Sequence, residues 1–340
     1  MPDCAGGSTD GRDSGFHRGE HPVFVVGLGR SGTSLIRSLI NSHPEFAVAP
    51  EIHFLDRWMP HFRRLDLASA FDAFWEPFVA GKHFPRLQVD PAHARAAILA
   101  DGSPTWRKVF RALLIQHAAV LERPRWGEKT PVYFRHIARL LDWFPGACVL
   151  YLLRDPRGVA ASHQVVDTEW ANLDPAHVAE TWLESVRILK SWANEPRVRL
   201  FRYEDIVTFP NETLEELFLF LGTQFDPGLL ELRRSGERLR ANGSFGPGAP
   251  ISAAHVDKWQ ERLSGRDVSV IEHIAGPVMD TYGYKRVSTG LGARTLTQLQ
   301  LARARRNVMR VARALKEPRE AVYRLSGRVR RRAHAVGRQP

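Results

Sequence analysis

Three stretches of the chain carry residue types that can hold anions or move a proton. In VFVVGLGRSGTSLIRSLI (residues 23–40), the β-formers Val23, Phe24, Val25 and Val26 meet a glycine-rich turn. A helix is predicted from about Thr33, with Leu35, Ile36, Leu39 and Ile40 at helical spacing. Gly27, Gly32 and Ser34 match the phosphate-loop pattern G-x-x-x-x-G-K-[ST], but Thr33 stands where that pattern has lysine. Backbone N–H groups of such a loop, with the N-terminus of the following helix, bind anions. The missing lysine is the one that reaches β- and γ-phosphates, so this loop suits a shorter anion. Arg30, inside the loop, offers a guanidinium fork for an oxyanion.

The second stretch, LLRDPRGVAASH, puts Arg154 at the end of an apolar run and Ser162 eight residues later. A salt bridge to Asp155 or Glu204 is the competing use for Arg154. The third, WGEKTPVYF, supplies Lys129 and Thr130, with a solvated surface position as the alternative for Lys129. Glu51 follows the short run FAVA, twenty-one residues after Arg30. A carboxylate there can take a proton from an acceptor. His53 is the rival base, while an ion pair or helix cap is the alternative for Glu51. His43, in SHPE, reads as a helix-ending or packing residue.

These residues need a scaffold. The run Ala147–Leu153 is continuously apolar, as in a central parallel strand. A helix follows from Pro156, with Asp155 as N-cap. VRLFRYEDI reads as a strand and loop. NETLEELFLFLG reads as a helix with an asparagine cap and a glycine stop. Strands alternating with helices predict an α/β fold: a P-loop-like parallel sheet flanked by helices. Residues 52–122 form a helical insert rich in aromatics, including Phe54, Trp58, Phe74, Phe78, Trp106 and Phe110. These suit a core, and some suit the wall of an acceptor pocket.

The chain has 340 residues and a net charge of +11. Residues 287–340 hold fourteen Lys/Arg against Glu317 and Glu320, a balance of +12, which leaves −1 for the rest. The basicity therefore belongs to the tail, and the body carries no nucleic-acid footprint. The expected organisation is a polar leader over 1–20, a domain over 21–285 and a basic helical tail over 286–340. Two cysteines, Cys4 and Cys148, indicate neither a disulfide framework nor a zinc site. No clustered ligands suggest a metal. The leader has no apolar core, and the expected compartment is a reducing cytoplasm.

Taken in order, the motifs resemble those of the sulfotransferase superfamily, over roughly residues 21–284. FRYEDIVTFP, Lys258–Trp259 and the closing YGY also fit. The resemblance implies a cofactor, 3′-phosphoadenosine 5′-phosphosulfate (PAPS), and its product 3′-phosphoadenosine 5′-phosphate (PAP). It implies that Arg30, Ser31, Gly32, Thr33 and Ser34 hold the 5′-phosphosulfate and that Arg154 and Ser162 hold the 3′-phosphate. Lys129 matches a lysine aimed at the bridging oxygen of the leaving phosphate, and Glu51 matches the glutamate base of tyrosylprotein sulfotransferases. Histidine serves as base in other relatives, which keeps His53 open. Tyr203 matches an aromatic near the adenine, with core packing as the alternative. Ser252 and Lys258 resemble a segment that closes over the cofactor. Pro50 and His53 depart from the tyrosylprotein pattern, which leaves a sugar, a lipid, a small alcohol or phenol, and a tyrosine all open as the source of the acceptor hydroxyl.

Two other readings compete. A P-loop kinase would need the absent lysine and a magnesium ligand set. A surface binder would act through the tail, where Leu301, Val308 and Leu315 recur at heptad spacing among arginines. Such a helix suits peripheral contact with anionic membrane, or packing in an oligomer. Liposome co-sedimentation of the full chain should then need anionic lipid and fade with salt, because the charge acts over about one Debye length, roughly 8–10 Å. Salt-independent binding to neutral vesicles would instead mean that the apolar stripe dominates.

Overall fold

The structure, a computed structural model, describes residues 21–100, 102–165, 173–230 and 251–288, with a few positions from 290 to 300. Five strands form one sheet: β1 (Val23–Gly27), β2 (Phe46–Ala49), β3 (Arg125–Lys129), β4 (Cys148–Leu153) and β5 (Val198–Arg202). Their order is β2-β3-β1-β4-β5, and every pairing is parallel. β1 and β4 lie mid-sheet and are buried along their whole length, as their unbroken apolar sequences require. Parallel strands share one carboxyl edge, where sheets of this kind bind ligands. Gly27, Ala49, Lys129, Leu153 and Arg202 end there.

Helix α1 (Thr33–Ser42) buries Leu35, Ile36, Leu39 and Ile40. It stops at His43, whose extended backbone is what a following proline favours. The His43 ring packs on Phe46 and Phe218, at centroid distances of 5.4 and 5.2 Å. The expected insert is present. A π-helical turn, Phe54–Trp58, leads to helices Leu67–Val79, Pro91–Ala100 and Trp106–Val120. Phe54 is the centre of its aromatic core, with Phe74, Phe78, Trp106 and Phe110 all within 6.1 Å between centroids. Phe110 stacks on Phe24 of β1, which joins the insert to the sheet.

Helix Pro156–Gln164 starts as expected, with the Asp155 side chain accepting from Arg157 N–H. Two expectations are corrected. The residues after β5 that read as a loop form a helix, Tyr203–Thr208. The next predicted cap, Asn211, lies inside helix Pro210–Phe220, and Phe209 is the N-cap. Pro210 carries the helical φ at the first position, so the helix starts two residues earlier than an Asn211 cap implies. Cys148 is buried in β4. Cys4, the leader and the tail beyond residue 300 lie outside the described residues. Among the described residues, no helix is long and apolar enough to cross a membrane.

Candidate functional site

The glycine loop leaves β1 tightly against its neighbours. A Cβ on Gly27 would meet Leu152 O at 2.3 Å, and one on Gly32 would meet the Tyr203 ring at 2.6 Å. Gly32 is the N-cap of α1 in a left-handed conformation, with no side-chain cap hydrogen bond. The first amides of α1 are thus left for another acceptor. Ser31 is fully buried, and its Oγ has no hydrogen-bond partner. Buried hydroxyls are nearly always paired, so this one fits a ligand oxygen. Thr33 is buried, whereas Ser34 is exposed at the helix start.

Arg30 and Arg154 lie side by side. Arg30 Nε donates to Ser162 Oγ at 3.1 Å, and Arg154 Nη1 donates to Arg30 O at 3.1 Å. The Arg154 guanidinium lies 4.0 Å from the centre of the Tyr203 ring, and its Nε is buried without a partner. The competing salt bridges are absent among the described residues. Asp155 is paired with Arg157 at 2.6 Å, and Glu204 accepts from Asp155 N–H and Tyr284 OH, both at 3.0 Å. Burial lowers the Arg30 pKa, and the charge of Arg154 adds to it. Two half-desolvated guanidiniums, an orphaned hydroxyl and uncapped helix amides form a setting that an anionic ligand would neutralise. These features fit both ends of PAPS.

The candidate base and leaving-group residues meet beside the loop. Lys129, 5% exposed, donates to Glu51 Oε1 and, at 3.3 Å, to Ser34 Oγ. His53 Nε2 lies 3.5 Å from Glu51 Oε2, and its Nδ1 lies 3.0 Å from Asp56 Oδ2. Burial opposes the Glu51 charge, yet hydrogen bonds from His53 and the Lys129 ammonium hold the carboxyl well below the usual carboxylate range. Burial would lower the His53 pKa, but Asp56 and Glu51 outweigh it and raise it. For Lys129 burial wins, and the pKa falls despite Glu51. Arg30 and His53 are two of the four described non-glycine residues with positive φ, 71° and 54°. Such backbone costs about 1–3 kcal/mol and persists where surrounding contacts enforce it.

The structure thus brings together Arg30, Ser31, Gly32, Thr33, Ser34, Arg154, Ser162 and Tyr203 around the loop, with Glu51, His53 and Lys129 beside it. Ser252 and Lys258 are less directly placed. Ser252 caps Ala254 N–H at 3.2 Å, and Lys258 is the N-cap of the turn Trp259–Arg262. The link from that segment to the site is His255, whose carbonyl accepts from Arg154 Nη2 at 3.3 Å. Asp56, His255 and His83 were not read from the sequence. The His83 ring lies 4.9 Å from that of His53, and burial, followed by the charge of His53, lowers its pKa to about 4. Asp56 sits three residues after His53 on the same turn, while His83 and His255 reach the site from distant segments that nothing in their local sequence marks. No group of three or more metal-ligating side chains is assembled among the described residues.

A family model described as "Sulfotransferase family" matches residues 22–227, which takes in all five strands. Protein-tyrosine sulfotransferase A of Caenorhabditis elegans is 24% identical over 225 residues, 64% of this chain and 54% of that protein. Carbohydrate sulfotransferase 1 of Rattus norvegicus is 24% identical over 330 residues, 78% of this chain and 80% of that protein. The chain therefore spans about half the length of the first relative and four-fifths of the second. Among solved structures, the sulfotransferase domain of the Synechococcus PCC 7002 olefin synthase superposes with a TM-score of 0.55 at 23% identity, over 78% of this chain and 96% of that one. The sulfotransferase domain from the curacin biosynthetic pathway gives 0.52 at 20% identity, over 78% and 99%. Both share the fold.

Proposed function

The chain belongs to the sulfotransferase family, and we propose that it moves a sulfonate from PAPS to a hydroxyl acceptor by in-line transfer. The observation that carries the proposal is Lys129, whose ammonium touches both Ser34 of the anion loop and the Glu51 carboxylate. One cation therefore stands between the residues assigned to the donor and the base assigned to the acceptor. PAPS would supply an activated sulfonate on a leaving phosphate. Arg30, the loop amides and Ser31 bind its 5′ end, and Arg154 with Ser162 binds its 3′-phosphate. Lys129 neutralises charge that develops on the leaving oxygen, as donors aimed at developing charge do in phosphoryl transfer. Glu51 takes the acceptor proton, and His53 holds the free carboxylate oxygen in place.

Calorimetry should show PAP binding more tightly than AMP or ATP, because only PAP fills both anion sites. No preference for the 3′-phosphorylated ligand would sink the assignment. Turnover should survive EDTA, since the cations in this proposal are arginine and lysine. Activity abolished by chelation and restored by magnesium would favour the kinase reading. A panel of sugar, lipid, phenol and tyrosine-peptide acceptors, assayed with PAPS, would find the acceptor class.

A further inference from the structure

We propose that Glu128 and Tyr133 are positioning residues, a buried clamp that holds the segment Glu51–Asp56 so that Glu51 and His53 face one another. The role of that segment in catalysis rests on the function proposed above. Glu128 is fully buried in β3, and its Oε1 accepts from Ile52 N–H at 3.2 Å and from Thr130 Oγ1. Tyr133, also fully buried, accepts from Leu55 N–H at 3.0 Å through its hydroxyl oxygen. The two anchored amides bracket His53, the residue held at φ 54°.

Neither amide has an obvious backbone partner. β2 has ended at Ala49, and Leu55 lies in the first turn of the Phe54–Trp58 helix, whose amides lack intrahelical acceptors. Buried amides need an acceptor, and here two side chains provide it. The His53 carbonyl meanwhile accepts from Arg57 and Trp58 N–H at 3.1 and 3.3 Å, which fixes the other side of the turn. Burial pushes the Glu128 carboxyl up to about 8, against hydrogen bonds from Thr130 and Ile52, and Oε2 has no partner.

The test compares Glu128→Ala, Glu128→Gln and Tyr133→Phe in the full chain. Amide exchange over residues 51–56, turnover and PAP affinity are measured for each. Glu128→Ala should speed exchange at Ile52 by at least about 10-fold and lower kcat by roughly 10²-fold, the effect of an ångström-scale misplacement. Its PAP affinity should stay within about two-fold of wild type, because the loop is untouched. Glu128→Gln, whose amide oxygen accepts the same bonds, should recover most of both losses. Tyr133→Phe should speed exchange at Leu55 and lower kcat about 10-fold. Wild-type kcat and exchange in Glu128→Ala, a parallel loss of PAP affinity, or no recovery in Glu128→Gln would each overturn the clamp. If Glu128→Ala does not fold, wild-type exchange and turnover in Tyr133→Phe would overturn it instead. Exchange is read without substrate, so a chain that transfers no sulfonate would sink the proposed function and still leave the clamp tested.

Discussion

Glu51→Gln should lower kcat by roughly 10²–10⁴-fold, the usual contribution of a positioned general base, and leave PAP affinity close to wild type. Glutamine keeps the size and one hydrogen-bond acceptor but cannot take the proton. The rival base His53 touches the same carboxylate, so a single substitution does not separate the two. The pH dependence of kcat/KM does, because it reports the free enzyme. Lys129 and His53 hold the Glu51 carboxyl well below the usual range against the effect of burial. If Glu51 is the base, kcat/KM should have no Glu51 limb between neutral pH and about pH 5. If His53 is the base, it must be neutral to act. Its pKa is raised, because Asp56 and Glu51 outweigh burial, so kcat/KM should fall as pH drops through that raised value. A near-wild-type Glu51→Gln beside an inactive His53→Ala would assign the proton to histidine. Lys129→Ala gives a third signature. It should slow turnover through the leaving group, and the loss should shrink with a donor analogue that has a better leaving group. Glu51→Gln should not respond to that change where proton removal limits the rate.

The parts of this site that could be read in the sequence are those set by local chemistry. A run of β-formers entering a glycine turn identifies β1 and its loop, and an uninterrupted apolar run identifies β4. By contrast, β3 gives little local signal, since Arg125, Glu128 and Lys129 fill three of its five positions. It is a strand because β1 and β2 pair on either side of it, and because Gly127 leaves room where a Cβ would meet Val23 O at 2.1 Å. That pairing also explains the site. Ala49 of β2 is in register with Glu128 of β3, so Lys129 emerges beside Glu51 although 78 residues separate them. Successive strand residues point to opposite faces. Lys129 therefore turns to the loop while Glu128, one position earlier, turns to the amide of Ile52. Each residue of the Lys129–Glu51–His53 group was visible as a candidate, and only the sheet register showed that they touch. His83 depends on how the insert folds back, which aromatic composition does not encode.

Arg154→Ala should weaken PAP by roughly 2–5 kcal/mol, the cost of removing one member of a desolvated charge pair, or roughly 30- to 5,000-fold in Kd. The size of the effect follows from the surroundings. Arg154 is 8% exposed, stacked on Tyr203, and makes no ion pair among the described residues. Its charge is thus available to a ligand phosphate rather than spent on a carboxylate. Arg154 also donates to Arg30 O and His255 O, so its loss could disturb the 5′ loop instead of the 3′-phosphate site. AMP separates these outcomes. If Arg154 binds the 3′-phosphate, the mutation should remove most of the PAP preference while AMP affinity barely moves. If it only props the loop, PAP and AMP should weaken by the same factor and the preference should survive. Arg154→Lys should fall between wild type and alanine. Lysine restores a positive charge but neither stacks on Tyr203 as a flat guanidinium does nor offers a planar fork to a phosphate. A lysine variant that binds PAP as tightly as wild type would mean that charge alone recognises the 3′-phosphate, with no part for the stacked geometry.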